Sequence, residues 1–135
     1  MSMIPDSHKD LLERPVIVSL ATVLPDGQPQ VTPVWIDYDG EYLRVNSAAG
    51  RQKDKNMRRN SQVTIMALDP DNGYRWLEVR GEVVEIDESA GLEHINSLSA
   101  KYRNQPDYYA SMPQLRGKEQ RVMYKIRPTK VTKGG

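Results

Sequence analysis

Cysteine is absent from this 135-residue chain, which rules out a disulfide, a thiolate nucleophile and a zinc-thiolate site. Histidine is scarce. His8 and His94 stand far apart with neither H-x-x-x-H nor Glu-x-x-His spacing, so no metal site is expected, and their polar neighbours predict surface positions for both. Long hydrophobic runs are missing too: nothing approaches the roughly 18 apolar residues that span a bilayer. The start, Met-Ser-Met-Ile-Pro-Asp-Ser-His, lacks the charged-then-apolar layout of a signal peptide, so a cytoplasmic protein with no membrane partner is expected. Excess charge is lacking as well. A formal net charge of +1 argues against a dedicated nucleic-acid binder, which carries a basic face. There are no internal repeats or low-complexity tracts, and the length suits one domain over residues 1–135 with a core that needs no staples.

What positive charge there is, is concentrated. Between residues 51 and 59 stand Arg51, Lys53, Lys55, Arg58 and Arg59 against the single anion Asp54, a local charge of +4, so the rest of the chain sums to −3. The stretch follows the alternating run Tyr42-Leu43-Arg44-Val45 and the small residues Asn46-Ser47-Ala48-Ala49-Gly50. Wound as a helix, it puts Arg51, Lys55, Arg58 and Arg59 on one face and Lys53 and Met57 on the other, so Met57 packs inward. Two readings stand. One is a phosphate site, because first-turn N–H groups lack partners and carry the positive end of the helix dipole; the other is a solvated basic face.

The remaining pattern is mostly strands. Asp6 or Ser7 is placed to cap a short helix through Leu12 that ends before Pro15. Val16 to Leu24 is β-branched; Pro25-Asp26-Gly27-Gln28 is a turn; Val31 to Tyr38 returns as a second strand of a hairpin. Pro33 cannot donate to a ladder, so that strand is expected at an edge or with a bulge at Thr32-Pro33-Val34, leaving backbone to face a ligand. Asp39-Gly40 closes a hairpin onto Tyr42 to Ser47. Gln62 to Leu68 and Tyr74 to Ile86 are strands, the second with a bend at Gly81. From Glu88 to Arg103, Leu92, Ile95, Leu98 and Tyr102 recur at near-helical spacing, with Gly91 weakening the helix. Residues 104–119 read as a long loop, and Gln120 to Ile126 as the last strand, with Pro128 as its exit. About six antiparallel strands of this kind close into a small barrel, mainly β, with two or three short helices.

In order along nearly the whole chain, Ala21-Thr22-Val23, Asp26-Gly27-Gln28-Pro29, Val31-Thr32-Pro33-Val34-Trp35, the Arg51 to Arg59 stretch, Val79-Arg80-Gly81, Lys101-Tyr102 and Arg121-Val122 resemble a known family. It is the pyridoxamine-phosphate-oxidase-like split β-barrel superfamily of flavin and deazaflavin oxidoreductases, and the branch most resembled uses coenzyme F420. That resemblance implies a homodimer with cofactors at the subunit interface and the ring against Val31, Thr32, Pro33, Val34 and Trp35. It implies phosphate at Asn46, Ser47 and Lys53, and a contact from Trp76 on the long strand. Gln52 stands where flavin-using oxidases typically place arginine. FMN ends in one phosphate, whereas the deazaflavin carries a phosphodiester and glutamates; Arg51, Lys55, Arg58 and Arg59 suit the longer polyanion through forked hydrogen bonds.

The expected function is therefore hydride transfer from the deazaflavin to a small conjugated or electrophilic acceptor, with the protein binding, aligning and excluding water. No residue is assigned a catalytic role. Tyr102, Tyr108, Tyr109 and Arg121 are candidates to line the substrate side, and the tyrosines equally suit packing; Trp35 suits either packing or ring stacking. An FMN-dependent oxidase or reductase and a non-catalytic cofactor-binding protein are the rival readings.

Overall fold

The β-branched runs pair as their pattern predicts. In the computed structural model, which describes residues 3–135, one antiparallel sheet is built from β1 (Val18–Val23), β2 (Pro29–Val34), β3 (Ile36–Tyr38), β4 (Leu43–Ala48), β5 (Gln62–Leu68), β6 (Trp76–Asp87) and β7 (Arg121–Gly134). The strand order is β2-β1-β5-β6-β7-β4-β3. β2 and β3 are successive in the chain yet stand at opposite ends of that order, separated only by Trp35. The sheet must therefore curl until its two edges come together there, which makes it a split β-barrel.

That crossover corrects the expected strand count. The run from Val31 to Tyr38 is two strands, because β2 pairs only with β1, Pro33 lying opposite Ser19, while β3 pairs with β4. Pro33 thus sits on an edge, where a residue without an N–H is tolerated. The end of the chain needs a second correction. β7 does not leave the sheet at Pro128 but follows β6 to Gly134, with a register shift that pairs Arg80 with Lys130 and Gly81 with Pro128 and leaves Thr129 over. Glycine at 81 makes room for this bulge: a Cβ there would lie 2.6 Å from Ile126 Cγ2 and 2.9 Å from the Arg127 carbonyl oxygen.

Among the described residues three α-helices cover the sheet: α1 (Asp10–Glu13), α2 (Gln52–Arg59) and α3 (Gly91–Arg103). Neither Asp6 nor Ser7 caps α1. Ser7 Oγ bonds His8 Nδ1 at 2.8 Å, Asp6 pairs with Lys9, and a short 3-10 turn (Asp6–His8) precedes the helix. On α3 the expected inward face holds at Ile95 and Leu98 but fails at Leu92, which is 52% exposed. The two histidines are also corrected, since both are buried: His8 Nε2 bonds the Gly134 carbonyl at 2.7 Å, and His94 on α3 bonds Asp37 of β3 and Asn46 of β4. Polar neighbours in sequence are not neighbours in space. Two 3-10 turns, Tyr108–Ser111 and Pro113–Leu115, give the expected long loop its shape.

Leu11, Leu12, Leu20, Ile36, Leu43, Ile65, Leu77 and Ile126 are fully buried inside the curl. Each such side chain contributes roughly 1.5–3 kcal/mol through removal from water. Among the described residues no helix is long and apolar enough to cross a membrane.

The crossover at Ile36 is pinned from α3. Lys101 Nζ donates to the carbonyls of Leu12 (2.8 Å) and Ile36 (2.6 Å), while the Tyr102 hydroxyl donates to the Val16 carbonyl (2.7 Å) and accepts from the Ile36 N–H (3.2 Å). Burial pulls Lys101 down to about 8, outweighing Asp37 and Glu13, and pushes Tyr102 up to about 12. The native state thus releases the lysine proton near pH 8, whereas the unfolded chain holds it to about 10.5. Stability is expected to climb from pH 8 toward 10, because a neutral amine still has an N–H for each carbonyl. Above pH 10 it should fall, since the unfolded chain ionises Tyr102 before the native state does. Denaturant midpoints from pH 7 to 11 test this: Lys101→Met should remove most of the rise, leaving the part that Lys53 contributes because it too is held below the ordinary lysine range, and a flat wild-type profile between pH 8 and 10 would overturn it.

Candidate functional site

β4 delivers Asn46, Ser47 and Ala48 to a turn at Gly50, whose φ of +90° is a conformation only glycine adopts without strain. The N–H of Gly50 then donates to Asp54 Oδ2 at 2.9 Å, so a carboxylate from the first turn of α2 secures the loop that enters it. Asp54 is buried, accepting also from Arg58 Nε (2.9 Å) and from the Tyr124 hydroxyl on β7 (2.5 Å). Met57 is buried beside it, as its place on the helix predicts. With this inner face fixed, Lys53 turns toward β2, donating to Thr32 Oγ1 at 3.2 Å.

Beside that turn opens a pocket of about 400 Å³. Pro33, Val34 and Trp35 form one wall from the barrel edge; Ile95 and Leu98 of α3, with Ile17, give an apolar strip; Asn46, Arg51, Lys53 and Arg121 give a polar end; Tyr108 stands at the remaining side. Lys53 is held below the ordinary lysine range, by burial first and then by Arg51 and Arg121. One carboxylate partly offsets these cations. Glu119 accepts from Arg51 Nη2 (2.9 Å), from the Tyr109 hydroxyl (2.8 Å) and from Arg121 Nη1 (3.4 Å). Burial would raise Glu119, but those partners hold it below the usual carboxylate range, and Tyr109 is pushed up to about 12 by burial and by Glu119. Three cations against one anion leave the polar end positive. Such an end suits an anion, and the strip beside it suits a flat apolar body.

Trp35 both packs and lines. Its indole stacks on Tyr102 at 5.3 Å and meets Tyr108 edge-on at 6.0 Å, with the Arg103 guanidinium 5.1 Å from its ring. Of the residues singled out from sequence, Pro33, Val34, Trp35, Asn46, Arg51, Lys53, Tyr108 and Arg121 meet at the pocket. The others lie around it. Thr32 supports Lys53; Tyr102 backs Trp35; Tyr109 is buried on Glu119. Ser47 is 1% exposed with a hydroxyl that has no partner, and Val31 is exposed on β2. Gln52 bonds Asn56 Oδ1 at 2.8 Å, Arg58 pairs with Asp54 and Glu88, and Arg59 bonds the Val23 carbonyl and Asn56. Lys55 is exposed on the outer face of α2, and Trp76 lies outside the pocket where β6 begins, opposite Gly134.

Sequence reasoning did not single out Ile17, Ile95 and Leu98 as lining or Glu119 as the counter-charge. Ile95 and Leu98 carry the same periodicity as core residues, and Glu119 carries no local signal; its role comes from contacts with Arg51 and Tyr109. Among the described residues no cluster of three or more His, Asp or Glu side chains is placed to hold a metal.

The family model described as pyridoxamine 5'-phosphate oxidase matches residues 4–133. A solved structure named F420 reductase is 39% identical, covers 96% of this chain and 98% of its own, and superposes with a TM-score of 0.83. A conserved hypothetical protein from Mycobacterium tuberculosis (24% identity, 98% of this chain and 85% of its own, TM-score 0.73) shares the fold. So does a protein named for pyridoxamine 5'-phosphate oxidase from Listeria innocua (24% identity, 95% of each chain, TM-score 0.70).

Proposed function

The chain belongs to the pyridoxamine 5'-phosphate oxidase family, and from that premise we propose that it is a coenzyme F420-dependent oxidoreductase acting on a small conjugated or electrophilic acceptor. The observation that carries the reading is the division of one pocket into a cationic end and an apolar strip. The 39% identity to a protein named F420 reductase supports the same choice.

When bound, the reduced deazaflavin supplies a hydride to the acceptor. All else falls to the chain's own residues. Arg51 and Lys53, with Asn46 beside them, would hold the phosphodiester, which would give the partly buried Lys53 ammonium a counter-charge. Pro33, Val34 and Trp35 of the pocket wall, with Val31 and Thr32 preceding them on the barrel edge, would hold the ring. Ile95 and Leu98 exclude water, which strengthens every charge interaction in the site. Tyr108 would face the acceptor, with Tyr102 and Tyr109 behind it, and Arg121 would offer its guanidinium to an anionic group of the cofactor or of the acceptor. Lys55, Arg58 and Arg59 lie along the outer face of α2, where a chain of glutamates leaving the phosphodiester would run; Arg58 keeps 41% of its side chain exposed despite its two carboxylate partners. Ser47 stands next to Asn46 on β4 with its hydroxyl unpartnered, and Gln52 at the start of α2 is held by Asn56, so both border this end.

The functional unit in this reading is a homodimer. Ile17 at the pocket rim and Val31 on the edge strand are 53% and 61% exposed, an apolar border that a second copy would cover. In the second copy's frame Trp76 would reach the cofactor.

FMN is the second reading, favoured by the compactness of the cationic end: Arg51, Lys53 and Arg121 suffice for a single phosphate. Titrating the protein with FMN and with coenzyme F420 side by side decides. Lys53→Ala should weaken F420 binding about tenfold, the loss of one charge-assisted contact. Arg58→Ala with Arg59→Ala should weaken F420 and leave FMN unmoved. Tighter FMN binding, indifferent to the arginine changes, would transfer the assignment to FMN.

A further inference from the structure

A buried run of side chains behind the pocket ends inside it. His94, 5% exposed on α3, has Nε2 3.2 Å from Asp37 Oδ2 and Nδ1 3.1 Å from Asn46 Nδ2. Asn46 Nδ2 also donates to the Gly91 carbonyl at 2.9 Å, and Asn46 Oδ1 accepts from Arg121 Nε at 3.0 Å. At the other end Arg44 grips Asp37 with two bonds, of 2.8 and 3.0 Å.

Only one set of proton positions satisfies this run. A guanidinium donates and never accepts, so Arg121 makes Oδ1 the accepting end of Asn46. The amide NH₂ then faces Gly91 and His94, and His94 Nδ1 must be the unprotonated, accepting nitrogen. Nε2–H is left to donate to Asp37. Burial would push that carboxyl up, yet its bonds from His94 and Arg44 hold it below the usual carboxylate range.

We propose that His94 is a positioning residue: by accepting from Asn46 it locks the amide in the orientation that offers Oδ1 to Arg121, and so aims the Arg121 guanidinium into the pocket at the anionic part of a ligand. The inference rests on the function proposed above only in taking this pocket as the ligand site. Arg121 is 5% exposed, with Nε on Asn46, Nη1 on Glu119 and its face 5.1 Å from the Tyr108 ring. Its remaining N–H groups serve the pocket. Without an acceptor at 94 the amide keeps only the Gly91 carbonyl for its NH₂ group, which loosens the hold of Oδ1 on Arg121 and lets the guanidinium shift toward Glu119.

The test uses ¹⁵N-labelled protein with no cofactor present and inorganic phosphate as the probe. His94 is expected to be protonated at Nε2 alone, and the Arg121 Nε–H resonance to be narrow and to move as phosphate is added. His94→Leu keeps the volume but removes the acceptor; it should broaden that resonance and weaken phosphate binding about tenfold. His94→Asn, whose Oδ1 can stand near the position of Nδ1, should rescue binding to within about threefold of wild type. Protonation at Nδ1 in the native protein, or a His94→Leu variant that binds phosphate as wild type does, would overturn the proposal. Should His94→Leu fail to fold, the wild-type ring spectrum and His94→Asn still decide. A failure here leaves the cofactor choice standing, and failure of the cofactor titration leaves this result intact.

Discussion

Replacing Gly91 with alanine is expected to lower stability by about 3 kcal/mol or more, the upper end of what overpacking costs. A Cβ there would lie 1.9 Å from the Arg121 carbonyl oxygen, 2.2 Å from its carbon and 2.7 Å from the Val122 nitrogen. All three are backbone atoms of β7, so no rotamer change can relieve the contact and α3 itself must lift. Helix propensity alone predicts the opposite sign, since alanine favours a helix over glycine by about 1 kcal/mol. The sign of the measured change therefore tells packing from propensity. Denaturant unfolding is the measurement, with Gly73→Ala as control: nothing lies within 4 Å of a Cβ at Gly73, and about 0.5 kcal/mol or less is expected. A Gly91→Ala protein as stable as wild type would mean that α3 does not lie this close to β7. The effect should also reach the site. The Gly91 carbonyl accepts from Asn46, which orients Arg121, so a lifted α3 should weaken phosphate binding in the pocket.

The contrast between Gly91 and Gly81 shows what was legible in the sequence. At Gly81 the alternation of Trp76, Glu78, Arg80 and Glu82 with Leu77, Val79 and Val83 declares a strand, so a glycine within it reads as a bend, and a bulge stands there. At Gly91 the helix pattern is clear, but the reason for glycine lies in β7, 30 residues later. Local order carries local information; close approach between distant segments does not. Pro33 marked an edge strand correctly because the missing N–H is a property of the residue alone. Pro128 misled for the complementary reason: the bulge opposite Gly81 accommodates it within β7, and only the partner strand reveals that.

The same division runs through the site. Charge density from Arg51 to Arg59 pointed to the turn where Arg51 and Lys53 meet the pocket, and the Thr32-Pro33-Val34 edge pointed to its wall. Which cations are left for a ligand was not legible. That depends on Glu119, Glu88 and the Val23 carbonyl, which come from three other segments and occupy Arg51, Arg58 and Arg59. His94 went unrecognised because its partners, Asp37 and Asn46, are distant in sequence; only the fold shows that a histidine without a motif bonds Asn46, a residue of the pocket wall.

Asp54→Ala is expected to cost about 2–3 kcal/mol, because it removes the buried carboxylate that accepts three hydrogen bonds, one of them from a guanidinium. The Asp54 side chain is 4% exposed and joins three segments: the Gly50 turn, Arg58 one turn along the helix, and Tyr124 on β7. Alanine would leave the buried Tyr124 hydroxyl without a partner, at a desolvation cost, while the exposed Gly50 N–H would turn to water. The loss should depend on pH in a defined direction. Burial would raise the Asp54 carboxyl above its ordinary 3.8, but the Tyr124 hydroxyl, the Gly50 N–H and Arg58 together hold it below that value. The stabilisation is thus fully present above about pH 4 and fades as the pH falls through the depressed native value. The gap between wild type and Asp54→Ala should narrow in that acid range and stay constant from pH 5 to 7; a gap that widens on acidification would contradict the assignment. Asp54→Asn separates shape from charge. It fills the same volume but offers one accepting oxygen to two neutral donors, so its loss should fall between wild type and alanine. Because Asp54 also fixes the turn before Arg51 and Lys53, both variants should weaken phosphate binding, with alanine the weaker binder even at temperatures well below its unfolding midpoint.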